Sequence, residues 1–158
     1  MAPSLAAERA GVRIDIDSLL EVYREISSNH DVNLVEGAGG LMVPLLPSFT
    51  YADLARVMKL PLVVVAANNL GAINHLLLTL EHASCKGLTV LGYVLNRPSA
   101  ESSLAAETNR EVLANLTGLP CLGEVPFVDG ENARKSFSLE FLENEFALDL
   151  IAPVLFGC

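Results

Sequence analysis

Apolar positions along this chain form two alternating kinds of run. Residues 32–35, 62–66 and 89–95 are short blocks dominated by Val, Leu and Ala, the signature of buried strands, and residues 121–124 (Cys-Leu-Gly-Glu) read as a further short strand. Between them, apolar residues recur at helical spacing. Residues 18–28 predict a helix through Leu19, Tyr23 and Ile26, with Asp17 or Ser18 able to cap its start. Residues 48–59 predict a short helix facing Leu54, Val57 and Met58 inward. Longer helices are predicted over 71–84 and 101–116, and a weakly helical tail over 137–150. Strands that alternate with helices in this rhythm make βαβ units and a parallel sheet.

Ligands of such sheets sit beyond the carboxyl ends of the strands. Four segments qualify. The first is Glu36-Gly37-Ala38-Gly39-Gly40, a carboxylate followed by a glycine-rich turn. It suits a Mg²⁺ ion and close backbone approach to a ligand; a tight turn with Glu36 solvated suits the pattern equally. The second is Asn68-Asn69-Leu70-Gly71-Ala72-Ile73-Asn74-His75, where a strand hands over to a helix start. Free N–H groups there attract an anion, although capping by Asn68 or Asn69 alone would account for the sequence. The third, Asn96-Arg97-Pro98, offers an amide with the donor and acceptor needed to read an adenine edge, or simply forms a turn before proline. The fourth, Pro126-Phe127-Val128, supplies apolar surface beside a base, or an ordinary loop.

Composition narrows the field. The 158 residues suit a single domain, residues 1–158, without repeats or an interdomain linker. Hydrophobic residues are 51% of the chain and the mean hydropathy is +0.42, which predicts a large core or apolar surface meant for a partner. No apolar run reaches the roughly 18–20 residues of a membrane span, and residues 1–11 lack the pattern of a signal peptide. The net charge of −9 argues against nucleic acid, whose phosphates attract basic surfaces. It leaves ATP open, because backbone N–H groups and a metal ion can hold phosphates. Cys85, Cys121 and Cys158 are widely spaced, which predicts a reducing cytoplasm and no zinc site. His30, His75 and His82 share no ligand spacing with them. No Gly-rich loop ends in Gly-Lys-Ser or Gly-Lys-Thr, and none of Lys59, Lys86 and Lys135 follows such a loop.

Taken in order, the motifs resemble the dethiobiotin synthetases, ATP-dependent ligases of biotin synthesis. The resemblance rests on Val35-Glu36-Gly37-Ala38-Gly39-Gly40 with Pro44, and on Ala52-Asp53-Leu54-Ala55. It continues through Leu60-Pro61, Leu70-Gly71-Ala72-Ile73-Asn74-His75 and Leu78-Thr79, then Gly87-Leu88 to Gly92, Asn96, and Leu122-Gly123-Glu124-Val125-Pro126. The segment Ala2-Pro3-Ser4-Leu5-Ala6-Ala7 is similar to the one that precedes these motifs in the family. The likeness covers nearly the whole chain but only the last two-thirds of the family pattern; the Walker A loop, catalytic lysine and metal-binding aspartate have no counterpart.

The resemblance implies a parallel-sheet, P-loop NTPase-like (Rossmann-like three-layer) α/β fold lacking the N-terminal P-loop strand and helix. Without that strand, residues 32–35 and 62–66 pair directly or leave open edges. It also implies roles. Glu36 binds Mg²⁺; Gly37, Ala38 and Gly39 border the ATP phosphates; Asn96 reads adenine, with Arg97 beside it; Pro126, Phe127 and Val128 line the base pocket. Gly71, Ala72, Ile73 and Asn74 hold the substrate carboxylate across a homodimer interface. The implied cytoplasmic reaction carboxylates 7,8-diaminononanoate with CO₂, phosphorylates the carbamate and closes the ureido ring. No catalytic residue is identified, and the isolated chain is expected to be inactive. Two other readings are a catalytically dead nucleotide- or partner-binding remnant, and a P-loop relative of the cobyrinic-acid amidating or MinD-like type.

Overall fold

Proline at the first position of a helix forfeits an N–H that has no intrahelical partner anyway, and Pro3 opens the first helix of the chain in that way. The computed structural model describes residues 1–101, 103–129 and 138–156. Lys135 and Cys158, named above, and residue 137, the start of the expected tail helix, lie outside them. The contacts divide into two compact units, Met1–Pro61 with His82–Thr89, and Leu62–Glu81 with the chain from Val90 onward.

The first unit begins with α1 (Pro3–Arg9) and α2 (Ile16–Asn29). Helix α2 starts two residues earlier than its apolar spacing predicts. Its cap is Asp15, whose side chain accepts from the N–H groups of Asp17 and Ser18, so those two are the capped residues rather than the cap. A hairpin that the sequence pattern did not reveal follows, β1 (Pro44–Leu46) antiparallel to β2 (Phe49–Thr50), and then α3 (Tyr51–Met58). Residues 48–50, expected in the helix, belong to that hairpin or its turn because Thr50 caps α3 through a reciprocal pair of bonds with Asp53. The core of this unit gathers Leu20, Leu45 and Leu54, with Ile14, Ile16, Phe49, Tyr51 and Met58 against them.

Residues 32–35, expected as a buried strand, form none. The segment pairs with no strand among the described residues, and Val32, Leu34 and Val35 are exposed, Leu34 by 98%. Apolar composition does not make a strand by itself; a ladder partner and a covering layer do, and this segment has neither among the described residues.

The second unit is the α/β core. Strands β3 (Leu62–Ala67), β4 (Val90–Asn96) and β5 (Cys121–Val125) form a parallel sheet in the order β3-β4-β5. Crossovers run through α4 (Ala72–Cys85) and α5 (Leu104–Thr117), giving the βαβ succession of a P-loop NTPase-like fold. Tyr93 and Leu95 on β4 and Ala66 on β3 pack with Leu76 of α4 and Leu113 of α5. The tail forms two helices, α6 (Leu139–Glu145) and α7 (Leu148–Phe156), split at Phe146. Phe146 bridges to Gly123 of β5, and its ring lies where a Cβ on residue 123 would be 2.6 Å away, so only glycine fits there.

Candidate functional site

Three of the four predicted segments leave the sheet side by side. Asn96 ends β4 and pairs in register with Ala67 of β3 and Val125 of β5. The loop after β3 is tied to this end, the N–H of Asn68 donating to the carbonyl of Asn96 at 2.7 Å. On the other side the N–H of Arg97 donates to the carbonyl of Val125 at 2.9 Å. The carboxyl edge therefore brings together Asn68 to Asn74, Asn96 with Arg97, and Pro126, Phe127 and Val128.

Their exposure differs. Asn96, Arg97 and Val128 are half-buried, whereas Pro126 and Phe127 are exposed. The Asn96 side chain makes no hydrogen bond to any described residue, so its amide keeps a donor and an acceptor for a ligand. Phe127 offers a ring surface one residue beyond Pro126, as base packing requires.

The start of α4 is shaped by Gly71, whose φ of +97° is a backbone angle that side-chain-bearing residues avoid. Behind it, Ala72 N–H donates to the carbonyl of Asn69, and His75 N–H to that of Gly71. The intervening N–H groups of Ile73 and Asn74 have no intrahelical acceptor. Ala72 is buried, Gly71 and Ile73 are half-buried and Asn74 is exposed. Neither Asn68 nor Asn69 caps this helix through its side chain: the Asn68 amide is buried and turned to α5, where its Nδ2 donates to the carbonyl of Ala106.

The fourth segment belongs to the other unit. Glu36, Gly37, Ala38 and Gly39 are exposed and lie outside any strand. Gly37 lies against the Tyr51 ring and Gly39, with φ of +92°, against Val43. Glu36 brings one carboxylate to this segment. Among the described residues no three His, Cys, Asp or Glu side chains gather as a metal site would require. One carboxylate fits Mg²⁺, which is bound by one or two carboxylates together with water and substrate phosphates.

Near the end of β5, the guanidinium of Arg110 of α5 pairs with Glu124 at 3.1 Å. Nearby, burial pushes up the Cys121 thiol and the Tyr93 hydroxyl, so both stay protonated at neutral pH. Sequence reading passed over Asn109 of α5, 2% exposed, whose Nδ2 donates to Asn68 Oδ1. A signal existed. Ala106, Asn109 and Leu113 fall at helical spacing, and all three are buried.

Residues 1–134 match a family of AAA domains. Similar curated proteins include the ATP-dependent dethiobiotin synthetase BioD of Bacillus cereus (strain G9842), 38% identical over 131 residues that make 83% of this chain and 54% of the relative. The protein of the same name from Rhodococcus erythropolis (strain PR4 / NBRC 100887) is 38% identical over 140 residues, 87% of this chain and 62% of that one. The one from Thermodesulfovibrio yellowstonii (strain ATCC 51303 / DSM 11347 / YP87) is 36% identical over 157 residues, 90% of this chain and 65% of that one. The chain thus spans from 54% to 65% of the length of these relatives. Among the described residues, no helix is long and apolar enough to cross a membrane.

Proposed function

The chain belongs to the AAA domain family and is related to the dethiobiotin synthetases, and from that premise we propose that it carries the base-reading and substrate-holding part of an ATP-dependent ring closure that converts 7,8-diaminononanoate and CO₂ to dethiobiotin. The observation that carries this reading is the Asn96 side-chain amide at the end of β4, which makes no hydrogen bond to any described residue, beside the β5 exit at Pro126, while the Asn96 carbonyl accepts from Asn68 of the loop that leads to α4.

In this reading Asn96 meets the Watson–Crick edge of adenine, where its amide supplies one donor and one acceptor. Arg97 lies beside it, and Pro126, Phe127 and Val128 pack against the base. The free N–H groups at Ile73 and Asn74, with Gly71 and Ala72, receive the substrate carboxylate, which the helix dipole favours. That helix faces a second copy of the chain in a cytoplasmic homodimer. Gly37, Ala38 and Gly39 border the phosphates, and Glu36 supplies a carboxylate to Mg²⁺. The ion, when bound, neutralises charge on the phosphate oxygens. What these residues contribute is positioning and charge compensation, the main demand of phosphoryl transfer.

No lysine follows a glycine-rich loop in the chain, so the 158 residues alone hold the base and the carboxylate but do not turn over. Calorimetric titration with ATP and Mg²⁺ tests the binding half, and a dethiobiotin assay of the pure chain tests the rest. Mg²⁺-dependent ATP binding without product is the expected result. Absence of ATP binding would sink the nucleotide role, and measurable product would sink the claim of inactivity. Preference for cobyrinic acid over 7,8-diaminononanoate would move the chain to another ligase class.

A further inference from the structure

Two asparagines to which the roles above give no task are the most buried amide side chains among the described residues of the second unit, Asn68 at 3% and Asn109 at 2% exposure. Asn109 Nδ2 donates to Asn68 Oδ1 at 2.9 Å and to the carbonyl of Asn69 at 3.1 Å. Asn68 Nδ2 donates to the carbonyl of Ala106 at 3.0 Å. These partners fix the orientation of the Asn68 amide. Turned over, it would set its NH₂ against that of Asn109 and its oxygen against the Ala106 carbonyl.

The bonds continue into the candidate site. The backbone N–H of Asn68 holds the carbonyl of Asn96, at 2.7 Å the shortest of these links, and the carbonyl of Asn69 also accepts from Ala72 at the start of α4. Asn109 therefore grips both sides of a turn that is bonded on one side to the last residue of β4 and on the other to the first residue of α4. Buried amides so far from solvent cost stability unless every group is satisfied. Two apolar residues would fill the space without that demand, so the amides call for an explanation beyond packing.

We propose that Asn109 is a positioning residue that, acting through Asn68, fixes the Asn96 amide for selective reading of adenine. The inference rests on the reading of Asn96 as the base-recognising residue. Recognition by one donor and one acceptor is sensitive to small displacement, since a shift that lengthens either bond leaves the wrong base as acceptable as the right one.

The test compares Mg-ATP with Mg-GTP binding by calorimetry for the 158-residue chain and three variants. Asn109→Asp keeps the shape but turns two donors into acceptors that face the Asn68 and Asn69 oxygens. Asn109→Ala removes the amide. Leu113→Ala, one turn further along α5 in the apolar core, is a control for loss of stability alone. The expected result is a roughly tenfold fall in the ATP-to-GTP affinity ratio for both Asn109 variants, about the value of one hydrogen bond, with the ratio unchanged in Leu113→Ala. A wild-type ratio in the Asn109 variants overturns the inference, as does an equal fall in the control. If wild type itself does not prefer ATP, the reading of Asn96 fails and takes this inference with it, an outcome the wild-type titration separates from the other two. Should Asn109→Ala not fold, Asn109→Gln, which carries the amide one methylene further out, replaces it: a fall in the ratio supports the inference and a wild-type ratio overturns it.

Discussion

Lys86 Nζ lies 2.9 Å from Asp53 Oδ1, joining the residue after α4 to the first turn of α3 within the first unit. Asp53 is already committed at its other oxygen. Oδ2 accepts from the N–H of Thr50 at 2.9 Å and from its hydroxyl at 2.8 Å, while that hydroxyl accepts from the N–H of Asp53. One side chain thus closes the capping box of α3 and anchors the chain after α4. Asp53→Ala is expected to destabilise by about 1–2 kcal/mol, the range for a lost cap. Lys86→Met should cost less, at most about 1 kcal/mol, because the lysine side chain is 34% exposed and solvent screens the pair. Urea unfolding of both variants checks the order.

The same carboxylate predicts a pH dependence. The Lys86 bond, then the bonds from Thr50, hold Asp53 well below its ordinary value of 3.8. A group depressed in the folded state contributes stability that is fully present above its unfolded pKa and is lost as pH falls toward the folded one. Wild type should therefore lose stability below about pH 4 more steeply than Asp53→Asn, which has no proton to take up there. Parallel acid titrations followed by circular dichroism would show it; superimposable curves would remove Asp53 from the account.

Tyr93 lies wholly inside the sheet core, and its hydroxyl has no hydrogen-bond partner among the described residues. An unsatisfied buried hydroxyl is a net cost. Tyr93→Phe should leave stability unchanged or raise it by up to about 1 kcal/mol. Leu113→Ala, in the same core, should lose about 2–5 kcal/mol through the cavity it opens. A clear loss in Tyr93→Phe would mean that the hydroxyl has a partner, such as a buried water.

What the sequence made legible follows the difference between local and distant causes. The strand at 62–66 and helix α4 were readable because β-branched density and helical spacing are local properties, and both elements lie within a residue or so of the reading. Residues 32–35 carry the same apolar signal as β3, yet a strand exists only with a neighbour, and a run of Val and Leu does not encode whether one is present. The β1–β2 hairpin has strands of only three and two residues, with Pro44 in the first, too short for apolar alternation to mark. At the site, Asn96 and Gly71 stand out because each follows a strand. Asn109 sits on a helix between Thr108 and Arg110, and its partner is 41 residues away. Its helical spacing with Ala106 and Leu113 marks an inward position, but only the fold shows the partner it meets there.

Two apolar surfaces make opposite predictions about association. Strand β3 is an edge of the parallel sheet, and Val63 and Val65 on one of its faces are exposed by 42% and 65%. On α4, Leu78 is exposed by 61%, one turn beyond Asn74, which is proposed to help hold the substrate carboxylate. An uncovered apolar edge strand invites open-ended pairing, which a single lysine opposes. A helix face shared by two copies closes on itself as a dimer. Val65→Lys should therefore suppress concentration-dependent aggregates and leave the proposed dimer, while Leu78→Glu should dissolve that dimer and leave any aggregation through the sheet edge. Light scattering across a concentration series reads both. A dimer that survives Leu78→Glu and disappears in Val65→Lys would place the contact on the sheet edge and remove α4 from the interface.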